Sequence, residues 1–182
     1  MVSGTFDISD YRLVGGRTSR APASECLRHR IDVFAGSTAD VVQSAGGWLY
    51  DRAMAGWEIA VLLPHGCDGR PLRILGARIA DHESGLEADF MEGAPPQSLA
   101  VSADAFAADP YLQDEVRKAL DDRWTEVALW GDGWPLGVNR GMTRVQHTLS
   151  AAARVFKGHA LAAAGIRCDS IDPTETLLTR EP

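Results

Sequence analysis

Apolar residues along the chain follow two different spacings. Nearly unbroken apolar runs at 57–63 and 126–130 predict strands covered on both faces, because a strand with one exposed face would alternate apolar and polar residues. Between 38 and 55 the apolar residues recur every three or four positions, which predicts an amphipathic helix. The chain therefore combines buried strands with helices.

The segment 30–63 predicts a strand, a helix and a second strand, in that order. Residues 31–35 form the first strand, Ser37 can cap the helix, and Gly56 stands where a helix usually stops. The second strand spans 57–63, and the connection is long enough for a parallel crossover. The passage AGWEIAV that enters this strand resembles the helix-to-second-strand passage of Rossmann-type proteins, although it carries no functional residue.

Further elements follow the same alternation. We predict strands at 72–80 and 98–101, a helical region that restarts at Asp109-Pro110, and a last helix from about Met142 to Ala164. The expected fold is α/β: a layered, mostly parallel, Rossmann-like sheet of about five strands flanked by helices. The alternative is an α+β fold with a mixed sheet, in which 58–63 and 72–79 pair as an antiparallel hairpin.

Length and composition limit the class of protein. A chain of 182 residues with 45% hydrophobic residues suits one domain, which we place at 25–182 behind a loosely ordered arm at 1–24. The three cysteines are too few and too widely spaced for a disulfide framework. With no signal peptide pattern and no apolar run of 18 residues, we expect a cytoplasmic protein that does not bind membranes.

The net charge of −7 is concentrated in one segment. Residues 81–122 carry eleven acidic side chains against Arg117 and Lys118. Duplex nucleic acid needs clustered Lys and Arg, so we expect no nucleic-acid partner. The acidic segment is either a solvated surface or a recruiting site for a basic partner or a hard cation.

Candidate binding residues follow the predicted strands, since ligands of open α/β sheets bind beyond the carboxyl ends of the strands. Ser37 and Thr38 could bind an anion at a helix N-terminus, although either could simply cap that helix. Asp104 follows the strand at 98–101. The loop after 126–130 carries Asp132 between two glycines and then Trp134, and such a loop can close over a ligand.

Evidence for catalysis is weak in the sequence. His65 and Asp132 are the acid/base candidates, because both follow predicted strands. His65-Gly66-Cys67 alone is a weak metal signal, and the other donors (His29, His82 and Cys168) are scattered along the chain, so we expect no metal site. Neither the GxGxxG fingerprint nor a phosphate-binding loop occurs, and the cofactor is therefore unknown.

Three features inside the predicted helices are unusual. Gly46-Gly47 lies within the first helix, which predicts close packing against a neighbour. Arg52 falls on the apolar face, where it either extends to solvent or needs a carboxylate partner or a bound anion. The last helix would present a polar stripe that is either solvated or binds an acidic partner or a phosphorylated ligand. Its members are Thr143, His147, Ser150, Arg154 and Lys157.

Two functions from different classes remain open. The first is a protein that binds a small anionic or nucleotide-like ligand at the strand ends, through Ser37, Thr38, Asp104 and Trp134. The second is a non-catalytic scaffold or regulatory protein that self-associates as a homo-oligomer and uses 81–122 or the last helix. No motif specifies a reaction.

Overall fold

A computed structural model describes residues 29–80, 97–122 and 124–180. The predicted arm at 1–24 and the first part of the acidic segment, residues 81–96, lie outside the described residues. No helix in the described ranges is long and apolar enough to cross a membrane.

Seven strands and seven helices are described in these ranges. The strands are β1 (Arg30–Phe34), β2 (Glu58–Leu62), β3 (Arg78–Ala80), β4 (Ser98–Ser102), β5 (Glu126–Trp130), β6 (Thr143–Thr148) and β7 (Thr174–Arg180). The helices are α1 (Thr38–Ser44), α2 (Gly46–Met54), α3 (Arg70–Ile74), α4 (Ala103–Ala108), α5 (Pro110–Asp121), α6 (Leu136–Asn139) and α7 (Ala151–Ala163).

The strands form one sheet in the order β3-β2-β1-β4-β5-β7-β6. The first five pair in parallel, with Val33 opposite both Val61 and Ala100. β7 then pairs antiparallel with β5, and β6 antiparallel with β7. The chain is therefore α/β, as predicted, but the sheet is mixed and has two more strands than expected. The alternative hairpin is wrong, because β2 and β3 pair in parallel.

Helices cover the sheet on both faces. On one face α1, α2, α3 and α7 cover alternate strand residues such as Ile31, Val33 and Val61. On the other face α4 and α5 cover Leu99, Val101 and Val127. Two covered faces explain the nearly continuous apolar runs that predicted β2 and β5.

The predicted strand at 72–80 is wrong over most of its length. Residues 70–74 form helix α3, which has Pro71 in its first turn, and only Arg78–Ala80 joins the sheet. Leu72 and Leu75 are fully buried in the core between α3 and its neighbours. A short apolar run fits a buried helix turn as well as a strand, and packing decided between them.

The predicted helix from Met142 to Ala164 is also wrong in its first half. Thr143–Thr148 is strand β6, and α7 begins only after Ser150, whose Oγ accepts a hydrogen bond from the Ala153 N–H at 3.0 Å. The polar stripe predicted on one helix face is thereby divided between a strand and a helix. Lys157, its last member, is buried at 5% exposure.

The first predicted helix is two helices that meet at Ala45. Gly46 and Gly47 begin α2, and a Cβ atom at Gly47 would lie 2.4 Å from the Leu149 Cδ2 atom. The predicted close packing at this glycine pair is confirmed. The N–H groups of Gly47 and Trp48 donate to the carboxylate of Glu175, at 2.8 and 2.7 Å.

Candidate functional site

Four loops meet at the carboxyl ends of the parallel strands, and we call this surface the carboxyl edge. The loops are residues 63–69 after β2, 35–37 after β1, 102–104 at the end of β4, and 131–135 after β5. Because these strands are neighbours in the order β2-β1-β4-β5, their ends span three strand spacings, about 14 Å. Every candidate residue at the strand ends lies on this edge or on the helix turn beside it.

The loop after β1 lies directly against the start of α4. A Cβ atom at Gly36 would lie 3.2 Å from the Asp104 Cβ. The Ser102 Oγ accepts hydrogen bonds from the Gly36 N–H at 3.2 Å and from the Ala105 N–H at 3.1 Å. One hydroxyl thus caps α4 and holds the two loops together, so that Ser37 and Asp104 are neighbours on the edge.

The loop after β5 lies against the same helix turn. Gly131 adopts a positive φ of 88°, and a Cβ atom there would lie 2.9 Å from the Ala103 Cβ. This backbone conformation and this close approach both require glycine. Asp132 follows directly and is exposed, as is Asp104. The two carboxylates therefore flank one contact between neighbouring loops.

Trp134 closes this side of the edge. Its ring packs against Phe106 of α4, with the ring centroids 4.9 Å apart and the ring planes tilted by 53°. The indole Nε1 is buried, and no residue of the described ranges accepts its hydrogen bond. A buried indole N–H usually has a partner, and none of the described residues supplies one here.

The hydroxyls of Ser37 and Thr38 already serve the fold. The Ser37 Oγ accepts a hydrogen bond from the Asp40 N–H at 3.2 Å and caps α1. The Thr38 hydroxyl is buried and donates to the Asp68 carbonyl oxygen at 2.8 Å, which holds the loop after β2 against α1. Both residues lie at the edge, but only Ser37 acts as the helix-capping alternative predicts.

The carboxyl edge is acidic. The loops after β1, β4 and β5, with the first turn of α1, contain Asp40, Asp104 and Asp132 but neither Lys nor Arg. Asp40 is held by the Trp130 Nε1, which donates to its Oδ2 at 2.9 Å, and by the Ser44 hydroxyl. Asp104 and Asp132 remain exposed to a ligand. Such a surface repels anions.

The histidines and cysteines that the structure describes do not converge on one site. His65 is exposed on the loop after β2, whereas His29 stacks on Trp57 at the opposite, amino end of the strands. The Cys168 thiol donates to the Ser170 carbonyl oxygen, and His82 lies outside the described residues. In the described ranges, no three His, Cys, Asp or Glu side chains come together as a metal ion would need.

Arg52 has the carboxylate partner that one of its two predicted alternatives requires. Its guanidinium donates to the Glu126 Oε1 at 2.6 Å and lies 4.7 Å from the Trp57 ring centroid and 5.4 Å from that of Trp48. Glu126 begins β5, so this cluster lies at the amino ends of the strands. It joins α2 to the sheet and is remote from the carboxyl edge.

The strand-end rule picks out Gly36 and Ser102 by their positions, but the sequence does not show what either residue contacts. Ser102 had a recognisable signal, because a hydroxyl residue between a buried strand and an alanine-rich helix is typical of an N-cap. Phe106 was not predicted. Its contact with Trp134, like that of Gly36 with Asp104, forms across the fold and leaves no signal in the sequence.

Comparison with known proteins gives a likeness in structure but none in sequence. No protein-family model matches the chain, and no characterised protein matches its sequence. An antimicrobial-reagent pseudoaglycone deacetylase is 15% identical, with a TM-score of 0.51 over 83% of this chain and 96% of its own. A deacetylase solved with teicoplanin, from the teicoplanin biosynthesis pathway, is 13% identical, with a TM-score of 0.55 over 82% and 97%.

A third solved structure is similar over a smaller share of the chain. The N,N′-diacetylchitobiose deacetylase from Pyrococcus horikoshii, solved with an inhibitor, is 11% identical, with a TM-score of 0.50 over 77% of this chain and 71% of its own. At these identities the likeness concerns the fold alone. The chain thus has the mixed α/β fold that these deacetylases share.

Proposed function

We propose that the carboxyl edge binds a sugar or glycoside. The observation that carries the proposal is the partly exposed Trp134, whose ring packs against Phe106 and which stands two residues from the exposed carboxylate of Asp132. Binding sites commonly combine an aromatic wall with a few polar groups. Trp134 and Phe106 supply the wall, and Asp104 and Asp132 supply the polar groups.

The chemistry of these groups suits a hydroxylated ligand. A carboxylate can accept hydrogen bonds from two adjacent hydroxyls. The negative face of an indole ring attracts the weakly positive C–H groups on one face of a sugar ring.

The charge of the edge favours a neutral or cationic sugar over the anionic, nucleotide-like ligand that the sequence suggested. A phosphate placed between Asp104 and Asp132 would meet two carboxylates and no Lys or Arg from the loops after β1, β4 and β5. The N–H groups at the start of α1 offer little compensation, because the Ser37 hydroxyl already accepts one of them.

The structural neighbours support the same ligand class. One of them deacetylates N,N′-diacetylchitobiose, a disaccharide. Deacetylation by this chain is not part of the proposed function. Its acid/base candidates, His65 and Asp132, follow strands whose ends lie about 14 Å apart, which is too far for a shared proton transfer. The proposed function is therefore binding, and it requires no metal ion.

Isothermal titration calorimetry tests the proposal with four ligands: glucose, glucosamine, N-acetylglucosamine and glucose 6-phosphate. We expect at least one uncharged or cationic sugar to bind with a Kd of about 1 mM or lower, and the sugar phosphate to bind more weakly than glucose. Trp134→Ala should weaken binding by about tenfold, as expected for a central aromatic contact.

The matched control is Trp124→Ala. Trp124 is 84% exposed on the loop before β5, at the other end of the strands, so its removal should leave sugar binding unchanged. No binding of any of the sugars at about 10 mM, well above a millimolar Kd, would contradict the proposal. Tighter binding of the sugar phosphate would instead favour the anion site.

A further inference from the structure

Strand β6 forms an open edge of the sheet. Within the described ranges it pairs only with β7, through six consecutive residue pairs from Thr143–Thr179 to Thr148–Thr174. Five of its six residues are exposed, and the sixth, His147, is partly exposed. Among the described residues, nothing pairs with the N–H and C=O groups on one side of its backbone.

Most of the usual devices that protect an edge strand are missing from β6. Its sequence, TRVQHT, contains no Pro, no Lys and no acidic residue, and Arg144 is its only permanently charged side chain. The register with β7 is uninterrupted, so no bulge turns the edge away. Three of the six residues are β-branched, which favours strand pairing. The edge is long and regular enough to accept another strand.

Exposed apolar side chains lie beside this edge. A Cβ atom at Gly47 would touch Leu149, and Asp51, one helical turn later, bonds the His147 Nε2 at 2.9 Å. Helix α2 and β6 therefore lie side by side and run in opposite directions. One further turn along α2 from Asp51 and two residues back along β6 from His147 both cover about 6 Å. These steps reach Met54 and Val145, which therefore lie level with each other.

These two residues belong to a larger exposed apolar strip on the same face. Met54 is 64% exposed and Val145 41%. Tyr50, one turn before Met54, stacks on Phe156 of α7 with ring centroids 4.7 Å apart, and Phe156 is itself 40% exposed. Met54, Val145, Tyr50 and Phe156 form what we call the α2/α7 strip.

We propose that a second copy of this chain pairs with β6, antiparallel, about a two-fold axis perpendicular to the sheet. Homodimers with this symmetry are the most common assemblies, and an antiparallel strand pair is compatible with it. The seven described strands of each copy would join into one continuous sheet. The two-fold axis keeps α2 and α7 of both copies on the same face, so the two α2/α7 strips meet beside the paired strands.

The interface requires both the β6 edge and the α2/α7 strip. A strand of six residues is about 20 Å long, and pairing along that length alone is too small for the ~800 Å² per partner of a stable interface. The apolar strip beside the strand supplies additional area of the kind that dimer interfaces favour. A peptide that adds a strand would cover the backbone edge but would leave the strip exposed, which is why we favour a second copy.

The charges of β6 are compatible with this pairing when the axis passes through Val145. Arg144 then lies opposite the partner subunit's Gln146, and the two arginines are offset from each other along the strands. The imidazole of His147 remains on Asp51 of its own chain. Val145 lies directly opposite the partner subunit's Val145 across the axis, so the same apolar residue of each copy forms the central contact.

Sedimentation velocity over about 1–100 μM, the usual range for transient dimers, is the first test. We expect a reversible dimer, and Val145→Lys should shift it to monomer by placing two ammonium groups across the axis. Trp124→Lys, at an exposed apolar residue far from β6, is the matched control and should leave the dimer intact. A monomer at every concentration, or a dimer unaffected by V145K, would overturn the proposal.

Cross-linking keeps the test independent of whether V145K folds. In a background with all three cysteines replaced by serine, Val145→Cys should form a disulfide-linked dimer under mild oxidation, whereas Trp124→Cys should not. Failure of V145C to cross-link in a sample that sediments as a dimer would place the interface elsewhere and refute pairing through β6. If V145C stays monomeric but binds an added foreign peptide as an extra strand, the second copy is refuted as the occupant of the β6 edge.

Discussion

Glu175 is the most heavily used side chain in the described core. It is 4% exposed, accepts two backbone N–H groups from the start of α2, and bonds the Lys157 Nζ at 2.5 Å. Lys157 donates in turn to the Gln43 carbonyl oxygen at 2.7 Å. A charge this deeply buried is tolerated only when it is paired and its hydrogen bonds are satisfied, and here both conditions hold.

Glu175→Gln should destabilise the fold by about 3–5 kcal/mol, as does the removal of one partner from a buried ion pair. The amide has a single acceptor oxygen, so its NH₂ group would face a backbone N–H or the Lys157 ammonium. Urea denaturation measures the loss. Lys118→Met, which breaks the exposed Lys118–Glu115 pair, should leave the stability nearly unchanged, because solvent screens a surface ion pair. Equal losses in the two variants would contradict the role of Glu175.

Asp32 is a second buried carboxylate, on β1 and 5% exposed. Burial raises its pKa to about 6, although the guanidinium of Arg30, 2.6 Å away, lowers it and Glu58 raises it further. Because the folded state holds this proton more tightly than the unfolded chain does, Asp32 contributes stability that is fully present below about pH 4. That contribution is lost as the pH rises through about 6.

Asp32→Asn removes this titration and should change the pH dependence of stability in a defined direction. Between about pH 3 and 7 the wild type should lose about 3 kcal/mol relative to the variant, following a shift of about two pKa units. Urea denaturation at intervals of half a pH unit measures the difference, and all other titrating groups are common to both proteins. Parallel stability curves would show that Asp32 titrates normally.

At the scale of elements, α2 shows how a neighbouring segment limits which residue can occupy a helical position. Gly47 has no room for a side chain because Leu149, at the end of β6, fills the space above it. The same close approach lets Glu175 reach the N–H groups at the start of α2. The cost of two helical glycines is therefore offset by packing and by hydrogen bonds.

Gly47→Ala should cost about 1–3 kcal/mol, because a methyl group 2.4 Å from the Leu149 Cδ2 forces the core to shift. Gly158→Ala is the matched control within α7. Its nearest neighbour, the Ile171 Cγ1, is 3.8 Å away, so this change should stabilise the helix by about 0.5–1 kcal/mol. Thermal and urea denaturation distinguish the two signs.

The double variant G47A/L149A isolates the contact. If Leu149 is the obstacle, removing its side chain should make G47A less costly than it is in the wild type, and the two losses should not add. Strict additivity would indicate that another contact is responsible.

In the whole molecule, four of the five parallel strands follow from patterns that are local in sequence. Continuous apolar runs and the crossover at 30–63 predicted β1, β2, β4 and β5 because a strand covered on both faces has no polar face to display. The antiparallel pair β7-β6 was not predicted. Met142, Val145 and Leu149 recur at a spacing that fits a helix, and only the pairing of Thr143–Thr148 with β7 makes this segment a strand.

The candidate site divides in the same way. The rule that ligands bind beyond the carboxyl ends of parallel strands placed Ser37, Asp104, Asp132 and Trp134 on one edge from sequence alone. The rule could not show that the hydroxyls of Ser37 and Thr38 are occupied by the fold, or that the indole N–H of Trp134 is buried without an acceptor in the described ranges. Those facts depend on contacts between residues distant in sequence.

The sequence by itself therefore determined the α/β class, the buried parallel strands and the edge at which a ligand would bind, because hydrophobic periodicity and chain order dictate them. Tertiary structure alone decided the mixed sheet, the division of the first helix and the buried bonds of Glu175. It also revealed the open edge at β6. The physical reason is the same in each case: a buried charge or an ambiguous strand is stabilised by partners far along the chain, such as Lys157 for Glu175 and β7 for β6.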